Sequence, residues 1–365
     1  MKIFYIIALL LGIGTSSLAQ NAANMPEWKD IKRNKQPEWY ASEQAASIAD
    51  TLMKYQMSCG GWIKNQNWSG KIKYDEIYNA QHSGIGATID NGATVSELKF
   101  LARVYASTKR NDIREAFVKG LNYLMAMQYA NGGFPQVYPA RPTEKGKTHY
   151  SAHITYNDNA IYHVLRLFRN ICDDKEPYKS LNIDQKTKDK LKKQFDKGIA
   201  CILKCQIKVD GKPSVWCQQH DEKTLAPTGA RSYELASLTG AGETVYIIRL
   251  LMSIKNPSKE VIYSVDCAID WLKSHAIKDA EVEYFKNSEG MNDCRLKQVK
   301  GAPLLWARFY DIDTQKPYVC DRDGVKKSDL SEIGYERRNG YRWYGRSPQM
   351  VLDNYDKWKE EIGKK

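Results

Sequence analysis

A short motif that recurs along the chain restricts its architecture more than any other feature. Gln56-Met-Ser-Cys-Gly60-Gly61-Trp62 returns as Gln128-Tyr-Ala-Asn-Gly132-Gly133-Phe134, and more loosely as Gln206-Ile-Lys-Val-Asp-Gly211 with Trp216 beyond. Each copy ends a stretch with apolar residues at helical spacing. Such spacing places Leu98, Leu101, Val104 and Tyr105 on one helix face, and likewise Phe117, Leu121, Leu124 and Met125. Val164, Leu165, Leu167 and Phe168 form a third such face, and Ile247, Ile248, Leu250 and Leu251 a fourth. Glycine after a helix permits the left-handed conformation that ends it, and the aromatic that follows is expected to fold back onto the mouth of a barrel. Helical hairpins repeated at such intervals and closing on themselves give an α/α toroid. The competing reading is chance likeness among helix C-termini, which commonly carry glycine. Alternating strand patterns are scarce, so the expected class is mainly α: an α/α toroid of repeated helical hairpins.

Helix starts are marked as well. Thr94 with Glu97 three residues on reads as a capping box, and Asn111-Asp112 sits where an N-cap belongs. Two connections, 134–156 and 211–237, are long and rich in Gly, Pro, Tyr and charge. Long loops on a repeating scaffold are where sites are usually built, and here they are expected to form the substrate cleft. No linker or low-complexity segment divides the chain.

The chain opens with one lysine, an uncharged apolar run from Ile3 to Ile13 and small residues ending at Ser17-Leu18-Ala19. This pattern predicts a secretory signal peptide over residues 1–19, and a single domain over 20–365. An exported protein, periplasmic or extracellular, follows. A formal charge of +12 then makes an anionic polysaccharide or a membrane surface a better electrostatic partner than nucleic acid. Lys-rich faces that merely keep a protein soluble explain moderate excess charge equally well. The expectation is a monomer with no nucleic-acid partner and no stable membrane association. Eight cysteines (59, 172, 201, 205, 217, 267, 294 and 320) are compatible with disulfides or with buried free thiols. None forms a CxxC pair, so no cysteine-bound metal is expected.

Acids recur at equivalent helix starts, in Thr88-Ile-Asp90-Asn91-Gly-Ala-Thr94 and in Ile154-Thr-Tyr-Asn157-Asp158-Asn-Ala160. Either Asp alone would be read as a helix cap. Their recurrence in successive repeats would point both to one mouth of a toroid, where paired carboxylates with amide neighbours suit a hard cation such as Ca2+. A third segment, Gly229-Ala-Arg231-Ser-Tyr-Glu234, follows the third motif where the earlier acidic loops lie. A fourth, Cys320-Asp-Arg322-Asp-Gly324 with Glu336-Arg-Arg338-Asn-Gly-Tyr341, is dense in arginine and aromatics, suited to carboxylate forks and sugar stacking.

The ordered set CGGWIKN, TIDNGAT, GGFPQVYP, TYNDNAI, the GARSYE loop and DRDG with ERRNGYRWYG resembles polysaccharide lyase family 10, the pectate lyases, over about residues 40–346. The resemblance implies an α/α toroid with a calcium-assisted cleft and cleavage of polygalacturonate by β-elimination. It implies that Asp158 and Asp90 meet the calcium ion and that Arg231 is the base. Arg322 is the better match for an arginine that grips a substrate carboxylate, with Arg338 as rival. Lys64 and the aromatics Trp62, Phe134 and Tyr138 are expected to line subsites.

β-Elimination removes the C5 proton beside the C6 carboxylate and expels the C4 oxygen, adding negative charge to a group that already carries it. Calcium on Asp158 and Asp90, with an arginine alongside, would neutralise that charge. An arginine base needs a lowered pKa, through desolvation and neighbouring cations, and an alkaline activity optimum would follow. If Arg231 only holds a carboxylate, a lysine or hydroxide must abstract the proton. Two other readings compete. A glycoside hydrolase would use Asp90 and Asp158 around a water. A non-catalytic glycan-binding protein would stack sugars on Trp62, Trp216 and Trp343.

Overall fold

The computed structural model describes residues 27–31, 36–83, 86–141, 143 and 149–364. The expected signal peptide lies outside them. No described helix is long and apolar enough to cross a membrane.

Three helical hairpins carry the architecture. In each, a helix that starts at the site end is followed by a partner running back: α3 (Val95–Thr108) and α4 (Asn111–Ala126), α5 (Ala160–Cys172) and α6 (Gln185–Cys205), α7 (Glu243–Met252) and α8 (Lys259–Ser274). A one-turn helix (Trp28–Ile31) and two longer ones, α1 (Glu43–Lys54) and α2 (Tyr74–His82), precede them, and α9 (Tyr335–Gly340) and α10 (Gln349–Gly363) follow. Helices α3, α5 and α7 pack side by side, and α10 packs on α7 and α8. The apolar faces read from the sequence are the ones that pack: Leu98, Leu101, Leu124, Val164, Phe168, Ile248 and Leu250 are wholly buried. The result is the α/α toroid that the repeat predicts.

The repeat has a hydrogen-bonding reason. Gln56 Nε2 donates to the carbonyls of Gly60 and Ala116, at 2.7 and 2.9 Å. Gln128 Nε2 does the same to Gly132 and Gln194, both at 2.9 Å, and Gln206 Nε2 to Ser214 and Ser264, at 2.8 and 2.9 Å. One amide thus closes the turn and ties it to the following outer helix, satisfying carbonyls that would otherwise lie unpaired. Glycine is required beside it. Gly60 and Gly132 have φ of 106° and 95°, and a Cβ at Gly132 would sit 2.1 Å from the Lys197 carbonyl oxygen.

The aromatic after the turn does not fold onto a barrel mouth. Trp62, Phe134 and Trp216 are wholly buried, and Trp62 Nε1 and Trp216 Nε1 donate to the Leu52 and Ile202 carbonyls at 2.9 and 2.7 Å. Burying so large an apolar surface outweighs leaving the ring on a wet rim. The capping box at Thr94 is also absent. Thr94 has φ 60°, and its hydroxyl accepts from Trp62 N (3.0 Å) and donates to the Thr88 carbonyl (2.8 Å), while buried Glu97 accepts from Trp68 Nε1 (2.8 Å). Likewise Asn111 and Asp112 lie inside the first turn of α4, whose N-cap position is Arg110. Side-chain caps do form at Ser42, Asp184 and Ser258.

Strands serve as struts at the site end. β1 (Ala87–Thr88) pairs with β2 (Val137–Tyr138), and β3 (Ile154–Thr155) with β4 (Gln219–His220). β5 (Leu238–Thr239) begins an antiparallel sheet with β8 (Phe309–Tyr310), β9 (Pro317–Cys320) and β10 (Lys326–Lys327). A longer hairpin, β6 (Ala280–Lys286) and β7 (Asn292–Gln298), stands apart from these. All eight cysteines are free thiols, five of them buried.

Candidate active site

The loops that lead into α3, α5 and α7 share one construction. Backbone N–H groups of Thr88, Thr155 and Thr239 donate to the carbonyls of Trp62, Phe134 and Trp216, at 2.9–3.1 Å. Each loop is therefore stitched to the aromatic of its own repeat. The third member of the series is consequently Leu238 to Glu243, rather than the expected 229–234 segment, which lies in a longer excursion before it. Three acids, Asp90, Asp158 and Glu243, thus stand at equivalent helix starts.

Tight geometry explains the Asn/Asp composition of the first two loops. Asn91, Asp158 and Asn159 have φ of 52°, 51° and 60°. Asn and Asp tolerate this left-handed region better than other side chains bearing a Cβ, and strain of this kind gathers at functional sites. The turns aim both carboxylates into a pocket of about 200 Å³, lined by Lys64, Asp90, Asn91, Asn157, Asp158, Arg231, Glu234, Arg308 and Tyr341.

Asp90 is buried, with Lys64 Nζ ion-paired to its Oδ2 and the Asn91 N–H donating to Oδ1 at 3.1 Å. Asp158 Oδ2 accepts from Asn157 Nδ2 at 3.0 Å. Burial, and next the hydrogen-bonded carboxylate of Asp90, push the Asp158 carboxyl up to about 7, against the pull of Arg308. Two acids in such contact hold more negative charge than their surroundings neutralise.

Arg308 is a member that the sequence reading missed. Its Nη2 donates to Glu243 Oε1 at 2.7 Å and to Asn157 Oδ1 at 3.1 Å, and its guanidinium carbon lies 4.6 Å from the Tyr341 ring centre. Burial alone would lower its pKa, but Glu243 and further anionic neighbours carry it above the ordinary arginine value. The flanking Trp306-Ala-Arg308-Phe309 carries no motif, so only the series of acids at helix starts could have pointed to its partner Glu243.

Arg231 reaches the same pocket from the 211–237 loop. Its Nη1 lies 3.4 Å from both Tyr233 Oη and Glu234 Oε1, and its guanidinium sits 5.8 Å from the Tyr150 ring. Glu234 is buried and also accepts from Tyr341 Oη at 3.0 Å. Burial lowers the Arg231 pKa, yet Glu234 and the two tyrosines leave it raised overall. Substrate-free, this arginine is a firm cation.

Arg322 does not line the pocket; it is exposed, its guanidinium 5.7 Å from the ring of Tyr233, a neighbour of Arg231, and forked onto Glu336 at 3.2 and 3.3 Å. Arg337, unremarked in the sequence, covers that ring more closely, at 4.2 Å. Arg338 is not brought to the pocket. It forms a two-pronged pair with Asp293 of β7 at 2.6 and 2.8 Å, which drives the Asp293 carboxyl well below the ordinary carboxylate range. Such a satisfied pair leaves no fork for a ligand. Trp62 needs correction too, because a wholly buried ring cannot contact a sugar; the same holds for Phe134. Tyr138 is half-buried against Tyr123 and does not line the pocket.

Comparison with known proteins agrees with this geometry. The family model described as pectic acid lyase matches residues 56–352. Two solved structures of a family 10 polysaccharide lyase from Cellvibrio cellulosa superpose with a TM-score of 0.74 at 30% identity, covering 88% of this chain and 95% of theirs. One is a point mutant in complex with trigalacturonic acid. No curated protein matches the chain.

Proposed function

Since this chain belongs to the pectic acid lyase family and is a polysaccharide lyase, we propose that it cleaves polygalacturonate by β-elimination with calcium held between Asp90 and Asp158. The observation that carries this is that Asp90 and Asp158 line one pocket whose other charged members are Lys64, Arg231, Arg308 and Glu234. Oxygen donors from two carboxylates and the amide of Asn91 fit a hard cation, and the repulsion at Asp158 is what such an ion would relieve. When bound, calcium would neutralise the substrate's C6 carboxylate, whose charge grows as the C5 proton leaves.

The chain's own residues do the rest. Arg308, fixed by Glu243, Asn157 and the Tyr341 ring, presents positive charge without reorganising, the condition under which electrostatic stabilisation is strongest. Lys64 neutralises Asp90 in the free protein and can turn to a sugar carboxylate once the acids are otherwise compensated. Arg322, exposed and held to an equally exposed Glu336 only by long bonds of 3.2 and 3.3 Å, would have to exchange that pairing to meet a neighbouring galacturonate. Arg231 is assigned the C5 proton. For that role its pairing with Glu234 must break as substrate enters, because only desolvation and cationic neighbours lower an arginine pKa. Export from the cell, read from residues 1–19, would place the enzyme where pectic polymers are met.

The rival readings lose their footing in the same geometry. Asp90 and Asp158 stand close enough for one to raise the pKa of the other, whereas an inverting hydrolase holds its two carboxyl groups about 6.5–9.5 Å apart around a water. Trp62, Trp216 and Trp343 are all buried, so none offers a stacking face. The test is the ultraviolet absorbance of unsaturated product from polygalacturonate, with added calcium, with chelator, and for Arg231→Ala. Absorbance should rise only in the first, and the variant should lose about 10²–10³ in kcat. Activity undiminished in chelator would remove calcium from the proposal, and full activity of the variant would remove Arg231.

A further inference from the structure

A second cluster of metal-ligating side chains lies away from the acids. His153, Asp221 and Glu222 each place a ligand atom within 4.8 Å of the other two. The ladder register creates it: Ile154 of β3 pairs with His220 of β4, so His153 and Asp221 come face to face one step beyond the ladder, and Glu222 follows. His153 Nδ1 lies 2.8 Å from Glu222 Oε2, and both side chains are largely buried, at 12% and 14% exposure. The backbone on either side is held independently. Asn131 of the second Gly-Gly turn donates to the Glu222 carbonyl at 2.8 Å, and Asp221 Oδ1 accepts from the N–H groups of Lys223 and Thr224, leaving Oδ2 available.

We propose that His153, Asp221 and Glu222 bind a divalent cation of the zinc class, pinning together the two long loops that build the cleft. An imidazole with two carboxylates suits a borderline transition-series ion, whereas calcium prefers oxygen donors throughout. Two protein segments supply the ligands, so the ion would cross-link them. One segment carries Tyr150, three residues before His153; the other carries Arg231, whose guanidinium lies against the Tyr150 ring. The ion therefore acts as a positioning element for Arg231, at a site separate from the Asp90–Asp158 pair.

The test is calorimetric titration of Zn(II) into chelator-treated full-length protein, with calcium in excess to occupy the acids. Wild type should bind one equivalent and gain several degrees in thermal unfolding. His153→Ala and Glu222→Gln should each lose that equivalent and that gain. Glu222→Gln can keep a hydrogen bond to His153, so it separates loss of a ligand from loss of the fold. Co(II) in place of Zn(II) should give visible absorption bands that both substitutions abolish. Absence of a saturable Zn(II) equivalent in wild type, or its persistence in both variants, would reduce the cluster to a histidine–carboxylate pair and overturn the proposal. Neither result depends on whether the protein degrades pectate.

Discussion

Replacing Arg308 by alanine tests whether one buried cation serves both the fold and the chemistry. Glu243 is only 4% exposed and has a single strong partner, Arg308 at 2.7 Å; its Oε2 has no hydrogen-bond partner. Truncating the arginine would leave an unpaired carboxylate in a dry environment, a class of change that costs about 3–5 kcal/mol. Urea unfolding followed by tryptophan fluorescence should show that loss at unchanged m-value. Adding Glu243→Gln removes the stranded charge and should restore about 2 kcal/mol or more, because an amide is far cheaper to bury than an ion. Lyase activity should behave differently. The pocket still lacks its fixed cation, so kcat/KM of the double variant should stay at least about 10²-fold below wild type. Recovery of activity together with stability would show that Arg308 is only a counterion for Glu243 and refute its part in stabilising charge. A stability loss below about 1 kcal/mol in the single variant would refute the burial argument itself.

Three other perturbations have definite expected outcomes. Gly132→Ala should cost about 2–4 kcal/mol in denaturant unfolding, since its Cβ would strike the Lys197 carbonyl, whereas Gly211→Ala, also at positive φ but with nothing within 4 Å, should cost about 1 kcal/mol. His220 accepts from Cys217 N through Nε2 and donates to the Leu225 carbonyl through Nδ1, and burial pushes its pKa down to about 4 from 6.5. The unfolded chain therefore binds the extra proton between those values, so stability should fall by about 3 kcal/mol as pH drops from 6.5 to 4, with a shallower slope in His220→Gln. Lys64→Met removes the cation that competes for Asp90, and calcium titration should show tighter binding than in wild type, by roughly tenfold; weaker binding would mean that the metal does not displace this ion pair.

What the sequence revealed follows the range over which each signal acts. The helices and the Gln-Gly-Gly turn are local patterns, and their residues fold where periodicity and glycine chemistry place them. Asp90 and Asp158 stood out because an acid beside asparagine recurs before successive helices, in turns where Asn91 and Asp158 take positive φ. Arg308 was not, because its role is set by Glu243, Asn157 and Tyr341, which lie far away in the sequence. Trp62 was misassigned for a related reason: an aromatic after a tight turn looks poised for a surface, and only the Leu52 carbonyl waiting in the core decides otherwise. The alternation in Ala280–Lys286 is a strand signal that went unused beside so many helices.

The three glutamine amides also set a direction. Gln56, Gln128 and Gln206 each reach forward, into α4, α6 and α8, never back. A turn is locked only after the next outer helix exists. On a chain growing from its N-terminus, structure would then lag synthesis by one hairpin, and the last locking event must wait for α8. Loss of a single amide would uncouple one junction and divide an otherwise all-or-none unfolding transition into blocks.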